Sequence, residues 1–168
     1  MKVFFGAALQ GARDRSERAG FNAALISAIR DGGHEVVTEH TTGRTKEEAA
    51  SLLEESIGPL PPPGLERTRY VRERMIGLVE GSISAAVFEV SIPSLGTGIE
   101  LAHAYLRPRM GLPEVPVLAI YQRGYWPNNL SSMVRGIDSE KMSHFTLEEY
   151  GGLEDARRVI GWFLAEKI

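Results

Sequence analysis

The stretch Glu89-Val90-Ser91-Ile92-Pro93-Ser94-Leu95-Gly96-Thr97-Gly98-Ile99-Glu100 holds the residue types best suited to chemistry in this chain. The apolar run Ala85-Ala86-Val87-Phe88 leads into it. The segment therefore reads as a buried strand passing through a Ser/Pro/Gly loop into a helix with a carboxylate in its first turn. Glycines at 96 and 98 let backbone N–H groups approach a ligand closely, and a helix N-terminus adds a partial positive charge of roughly half a unit. Ser94 and Thr97 supply hydroxyls. The combination suits a phosphate or the hydroxyls of a sugar. It is neither a P-loop, since no Gly-Lys-Ser/Thr follows, nor a full G-x-G-x-x-G. Glu100 is open to two readings. Thr97-x-x-Glu100 has the spacing of a capping box, which needs no ligand, and a carboxylate beside such a loop can equally be catalytic. Glu89, near the end of the strand, is either a satisfied buried acid or an acceptor for a ligand hydrogen bond.

Fewer signals come from elsewhere. The histidines are His34, His40, His103 and His144, and none forms an H-x-x-x-H or H-E-x-x-H pair, so no zinc site is expected. There is no cysteine, which removes thiolate chemistry, disulfides and Cys-ligated metal together. No cofactor is called for. His40 follows Thr38-Glu39 just beyond a short apolar run, where a surface histidine and a site residue are both possible. Asn128-Asn129-Leu130-Ser131-Ser132-Met133-Val134-Arg135-Gly136 puts hydroxyls at a helix start, a pattern that an N-cap alone explains.

These residues need a scaffold, and the hydrophobic pattern supplies one. Val3-Phe4-Phe5, Glu35-Val36-Val37-Thr38, 85–90 and 115–121 read as strands, and 144–146 as a short edge strand. Between them, 14–31, 45–56, 67–81, 99–109, 130–135 and a terminal segment from 153 carry helical periodicity. Phe21, Leu25 and Ile29 form one stripe, and Thr45-x-x-Glu48 is a capping-box start. The alternation predicts an α/β, Rossmann-like or flavodoxin-like sandwich of about five mainly parallel strands, with helices on both faces. Gly58-Pro59-Leu60-Pro61-Pro62-Pro63-Gly64 reads as a surface loop, with a lid as the alternative. At 168 residues, 43% apolar and 24% charged, the chain is expected to form one domain, 1–168. A net charge of -3 argues against gripping a nucleic-acid backbone, and no apolar run is long enough for a membrane span. A soluble, cytoplasmic protein is the expectation.

The segment from Glu89 to Ala104 resembles the signature of the nucleoside 2-deoxyribosyltransferase superfamily, and within it is most similar to the 2'-deoxynucleoside 5'-phosphate N-hydrolases. Val37-Thr38-Glu39-His40, Leu130 to Gly136, and Phe4-Phe5-Gly6 with Gly11 and Asp14 extend the likeness along the chain. The resemblance implies that Glu100 is the nucleophile that attacks the anomeric carbon and expels the base. It implies that Gly6, Ser94, Gly96 and Gly98 belong to the phosphate or sugar site and that His40 lies near the base. It implies that Ser131 reaches the site from a neighbouring subunit in a homodimer, with Tyr105, Trp126 and Met133 as apolar contact surface. A small nucleotide or nucleoside is the implied partner, and base transfer between two nucleosides or nucleotide sensing are the alternatives to hydrolysis. The chain also departs from the pattern. Val3 stands where the family has a tyrosine, Ala7-Ala8-Leu9-Gln10 where it has serine and arginine, and Met75-Ile76 where it has an aspartate, with Glu73 and Glu80 one turn to either side.

Overall fold

The computed structural model describes residues 1–9, 11–125, 130–137 and 140–168. Five strands, β1 (Lys2–Ala7), β2 (Glu35–Val36), β3 (Ala85–Glu89), β4 (Val117–Gln122) and β5 (Phe145–Tyr150), form one sheet in the order β2-β1-β3-β4-β5. Every pairing is parallel. The helices are α1 (Arg15–Asp31), α2 (Lys46–Ile57), α3 (Leu65–Glu80), α4 (Leu95–Tyr105), α5 (Ser132–Arg135) and α6 (Leu153–Lys167), with 3₁₀ turns at His40–Thr42 and Arg107–Met110. This is the expected α/β, flavodoxin-like arrangement.

Successive strand residues feed opposite cores. Val3, Phe5, Ala85, Val87, Leu118 and Ile120 pack with Leu25 and Ile29 of α1 and Ile160 and Phe163 of α6. Phe4, Ala86, Phe88, Val117 and Ala119 pack on the other face with Met75 and Val79 of α3 and Leu101 and Ala104 of α4. Being covered on both faces is why β1 and β3 read as unbroken apolar runs. Gly6 belongs to this packing. A Cβ on it would stand 2.5 Å from the Phe88 ring, which lies beside it in register, so the aromatic takes the space that a side chain would need.

Three of the boundaries that differ from expectation have a physical reason on view. The second strand ends at Val36 rather than Thr38 because a side chain takes over the ladder: Thr38 Oγ1 accepts from Phe5 N at 3.1 Å and donates to Phe5 O at 2.7 Å. The last strand runs six residues instead of three, since Phe145 to Tyr150 pairs along Val117 to Gln122. Its acidic pair, Glu148-Glu149, sits on a sheet edge where charge is tolerated and hides the strand from a hydrophobic pattern. The third difference, at α4, bears on the site. The proline loop is held by bonds to its flanking helices, with Leu60 N donating to Glu54 Oε1 at 3.1 Å and Arg67 Nε donating to Pro61 O.

Candidate active site

Strands β1 and β3 are neighbours whose following helices leave to opposite faces, α1 with the first core and α4 with the second. In an open parallel sheet the crevice at such a reversal is where ligands bind. Here it is bounded by the β1–α1 loop, with Ala7 and Ala8 buried, and by the β3–α4 turn, with Ser91 and Ile92 buried. The two loops approach each other at Gly11, at φ 89°, where an added Cβ would stand 3.4 Å from the Ile92 side chain.

α4 starts four residues earlier than the glycines led us to expect. Ser94 is its N-cap, its Oγ accepting from Thr97 N at 3.3 Å, and Gly98 N donates to Ser94 O at 3.0 Å. Thr97 is therefore inside the helix and caps nothing, and the first turn holds no acidic residue. The capping-box reading of Glu100 is thus corrected: the carboxylate stands in the second turn, beyond reach of the helix start.

Thr97, Leu101 and Ala104 are the buried stripe of α4. At 100° per residue, Gly96, Glu100 and His103 flank that stripe on one side, Gly98, Ala102 and Tyr105 flank it on the other, and Ile99 lies opposite it. Glu100 is partly buried, and among the described residues none hydrogen-bonds or ion-pairs with its carboxyl group. Burial pushes its pKa up to about 7. A carboxylate that is neither capped, paired nor well solvated is poised to meet a developing positive charge.

The acids considered for a supporting role differ in their surroundings. Glu80 Oε1 lies 2.7 Å from His103 Nδ1. Glu73 is exposed and opens on a cavity with Tyr70, Arg74 and Gly77 of α3 and Ser56 of α2, a different cavity from the one beside α4. Met75 is buried in the core.

Gly96 and Gly98 have a different standing from Gly6. A Cβ on Gly98 would meet nothing within 4 Å, and one on Gly96 only Ser94 Oγ at 3.8 Å. Glycine in a helix costs up to about 1 kcal/mol relative to alanine, and no contact within the chain explains two of them on the exposed surface of α4.

Glu89 is fully buried. Arg18 forms an ion pair with it, Tyr150 Oη donates to its Oε1 at 2.9 Å, and both the backbone N–H (3.2 Å) and the hydroxyl of Ser91 bond the same oxygen. With no exposed surface, Glu89 is held inside the chain by these groups. Arg18 and Tyr150 went unnoticed as members of this group. Arg18 and Asn22 could have been found, since they continue the Leu25–Ile29 stripe and a charge on an apolar stripe demands a partner; Tyr150 carries no such signal.

His40 opens the 3₁₀ turn after β2. Its Nδ1 is enclosed with no hydrogen-bond partner among the described residues, and burial pushes its pKa down to about 4, so the ring is neutral near pH 7. Asn22 Nδ2 anchors the turn by donating to Thr41 O at 3.0 Å.

Ser131 is the N-cap of α5, its Oγ accepting from Met133 N at 3.2 Å. On the far side of α4 from Glu100 it joins Ser94, Gly98, Ile99, Tyr105 and Met133 around an apolar cavity of about 510 Å³. Leu95 (89% exposed), Met133 (81%) and Ile99 (49%) crowd its rim. Trp126, Asn128 and Asn129 lie outside the described residues. Among the described residues no cluster of three His, Asp or Glu side chains could hold a metal ion, and no helix is long and apolar enough to cross a membrane.

Comparison with known proteins places the chain among similar sequences. It is 34% identical over 156 residues to a Thermofilum pendens protein named "Putative 2'-deoxynucleoside 5'-phosphate N-hydrolase 1", covering 93% of this chain and 90% of that one. A Methanococcoides burtonii protein of the same name is 26% identical over 136 residues, 81% of this chain and 90% of its own. No protein-family model matches the chain.

Proposed function

This chain belongs to the 2'-deoxynucleoside 5'-phosphate N-hydrolase family, and from that premise we propose that it cleaves the N-glycosidic bond of a (deoxy)nucleoside 5'-monophosphate or nucleoside with Glu100 as the nucleophile. The observation that carries the reading is the state of Glu100: among the described residues, an uncapped, unpaired, partly buried carboxylate in the second turn of the helix that follows β3. A Glu100 oxygen attacks the anomeric carbon, the carbon–nitrogen bond breaks, and its electron pair leaves with the base, which takes a proton from solvent. Water then attacks the same carbon, the bond to Glu100 breaks, and the carboxylate is restored with release of the sugar or sugar phosphate. Two carboxylate-trapped steps replace one difficult displacement, because the glutamate stabilises the oxocarbenium-like transition state on both sides. Gly96 and Gly98 leave the α4 backbone open for close approach of the substrate, with Ser94 at the helix start and His40 as a neutral ring toward the base.

The working unit is a homodimer. Large apolar side chains gathered around one cavity are unusual on the surface of a monomer, and a second copy covering Leu95, Ile99 and Met133 would bring its Ser131 to the Ser94–Gly98 turn.

The test is incubation with a panel of deoxy- and ribonucleosides and their 5'-monophosphates, with and without an acceptor base, following free base by chromatography. Free base without acceptor supports hydrolysis. Exchange that requires acceptor assigns base transfer, and binding with no turnover assigns a sensor.

A further inference from the structure

We propose that Arg18, Glu89 and Tyr150 are positioning residues that fix the turn between β3 and α4 and thereby set where the Glu100 carboxylate stands. The catalytic half of this inference rests on the function proposed above, whereas its structural half does not.

The bonds converge on the last residue of β3. One Glu89 oxygen receives Tyr150 Oη, Ser91 N and Ser91 Oγ, and the other is ion-paired with Arg18. Ser91 Oγ in turn accepts from Gln122 N at 2.7 Å, while Val90 N donates to Ile120 O at 2.9 Å. α1, β3, β4 and β5 are thus tied to one carboxylate at the carboxyl edge of the sheet. Tyr150 is braced by Phe21, ring centroids 5.8 Å apart, and the Arg18 guanidinium lies 5.0 Å from the Phe21 ring centre.

The chain beyond this knot has little freedom. Only Ile92, Pro93 and Ser94 separate Ser91 from α4. Ile92 is buried, Pro93 has a restricted φ, and Ser94 is committed to its cap. From Ser94 the rigid helix carries Glu100 about 9 Å along its axis. A rotation of about 10° at the turn moves that carboxylate by about 1.5 Å, and a misplacement near 1 Å can cost a reaction about a hundredfold.

Stability alone is a poor reason for the arrangement. Buried ion pairs recover their desolvation cost only with excellent geometry, and apolar replacements are often neutral. The core on this face is already continuous without them, through Phe5, Leu25, Ile120 and Phe163. What the charges add is one defined geometry next to the turn that leads to Glu100.

Two variants test this. Tyr150→Phe deletes one hydroxyl and keeps the ring on Phe21. Arg18→Met with Glu89→Gln removes both charges and leaves no lone buried ion. Hydrogen exchange of the amides in 91–98 should quicken about tenfold or more while those of β1 keep their protection. Base release should lose about ten- to a hundredfold in kcat, with KM within about twofold. Unchanged exchange at 91–98, or an equal rise throughout the protein, overturns the proposal; should the double variant not fold, Tyr150→Phe decides. A wild type that releases no base from any substrate removes the Glu100 reading, while the exchange measurement still decides whether the knot holds the turn.

Discussion

Ser94 Oγ accepts the Thr97 amide at 3.3 Å, and that bond separates Glu100 from the start of its own helix. With the cap formed by Ser94, Glu100 has no capping duty, and among the described residues its carboxyl group has no hydrogen-bond partner. Glu100→Gln should therefore abolish base release, since an amide is a poor nucleophile, while the protein stays folded and binds nucleotide as well as or better than wild type. Turnover assays beside calorimetric binding check this. Retained turnover in the folded variant rejects Glu100 as nucleophile.

The same carboxyl group gives a pH signature. Its pKa in the folded protein is pushed up to about 7 from an ordinary 4.5, so the folded state holds a proton that the unfolded state has lost between those values. Stability from this group is fully present below about pH 4.5 and is lost as pH rises through about 7. Glu100→Gln should thus gain relative to wild type with rising pH, reaching on the order of 1–3 kcal/mol above pH 7. His40 titrates with the opposite sign, its depressed pKa making the protein less stable as pH falls from 6.5 toward 4. It does so in both proteins, so the difference between their denaturation curves isolates Glu100. A constant difference from pH 4 to 8 would contradict the assignment.

Activity should follow that ionisation. The nucleophile is the charged form, so kcat/KM should climb through an acid limb near pH 7 rather than near 4.5. A profile flat from pH 5.5 to 8 would point to another group.

Gly98→Ala offers a separation of fold from function. A Cβ there meets nothing within the chain, so the helix should gain about 0.5–1 kcal/mol in thermal unfolding. Where substrate or partner subunit needs the space, binding should weaken despite the firmer helix. Gly6→Ala is the control. The Phe88 ring would be struck, and stability should fall by roughly 1–3 kcal/mol.

Leu95→Glu with Met133→Glu probes the exposed apolar rim. Sedimentation should show a dimer for wild type and a monomer for the variant, with base release lost alongside assembly. A wild type that is monomeric at micromolar concentration removes the shared-site reading.

How far the amino-acid sequence reaches is shown by three positions. The apolar runs at Val3–Phe5 and Ala85–Phe88 point to buried strands on their own, because successive apolar residues need cover on both faces of a sheet, and the strand–helix alternation then points to the sandwich. Glu100 is visible as a carboxylate beside a glycine-rich turn, yet its freedom is not. Ser94 and Thr97 both have capping chemistry, and only the backbone path chooses between them. Glu89 is the clearest case. Its partners Arg18 and Tyr150 lie 71 residues before it and 61 after it in the chain. A buried carboxylate takes its role from whatever the fold brings within hydrogen-bond reach, and no local pattern of residues encodes contacts that exist only once four separate elements have closed on one point.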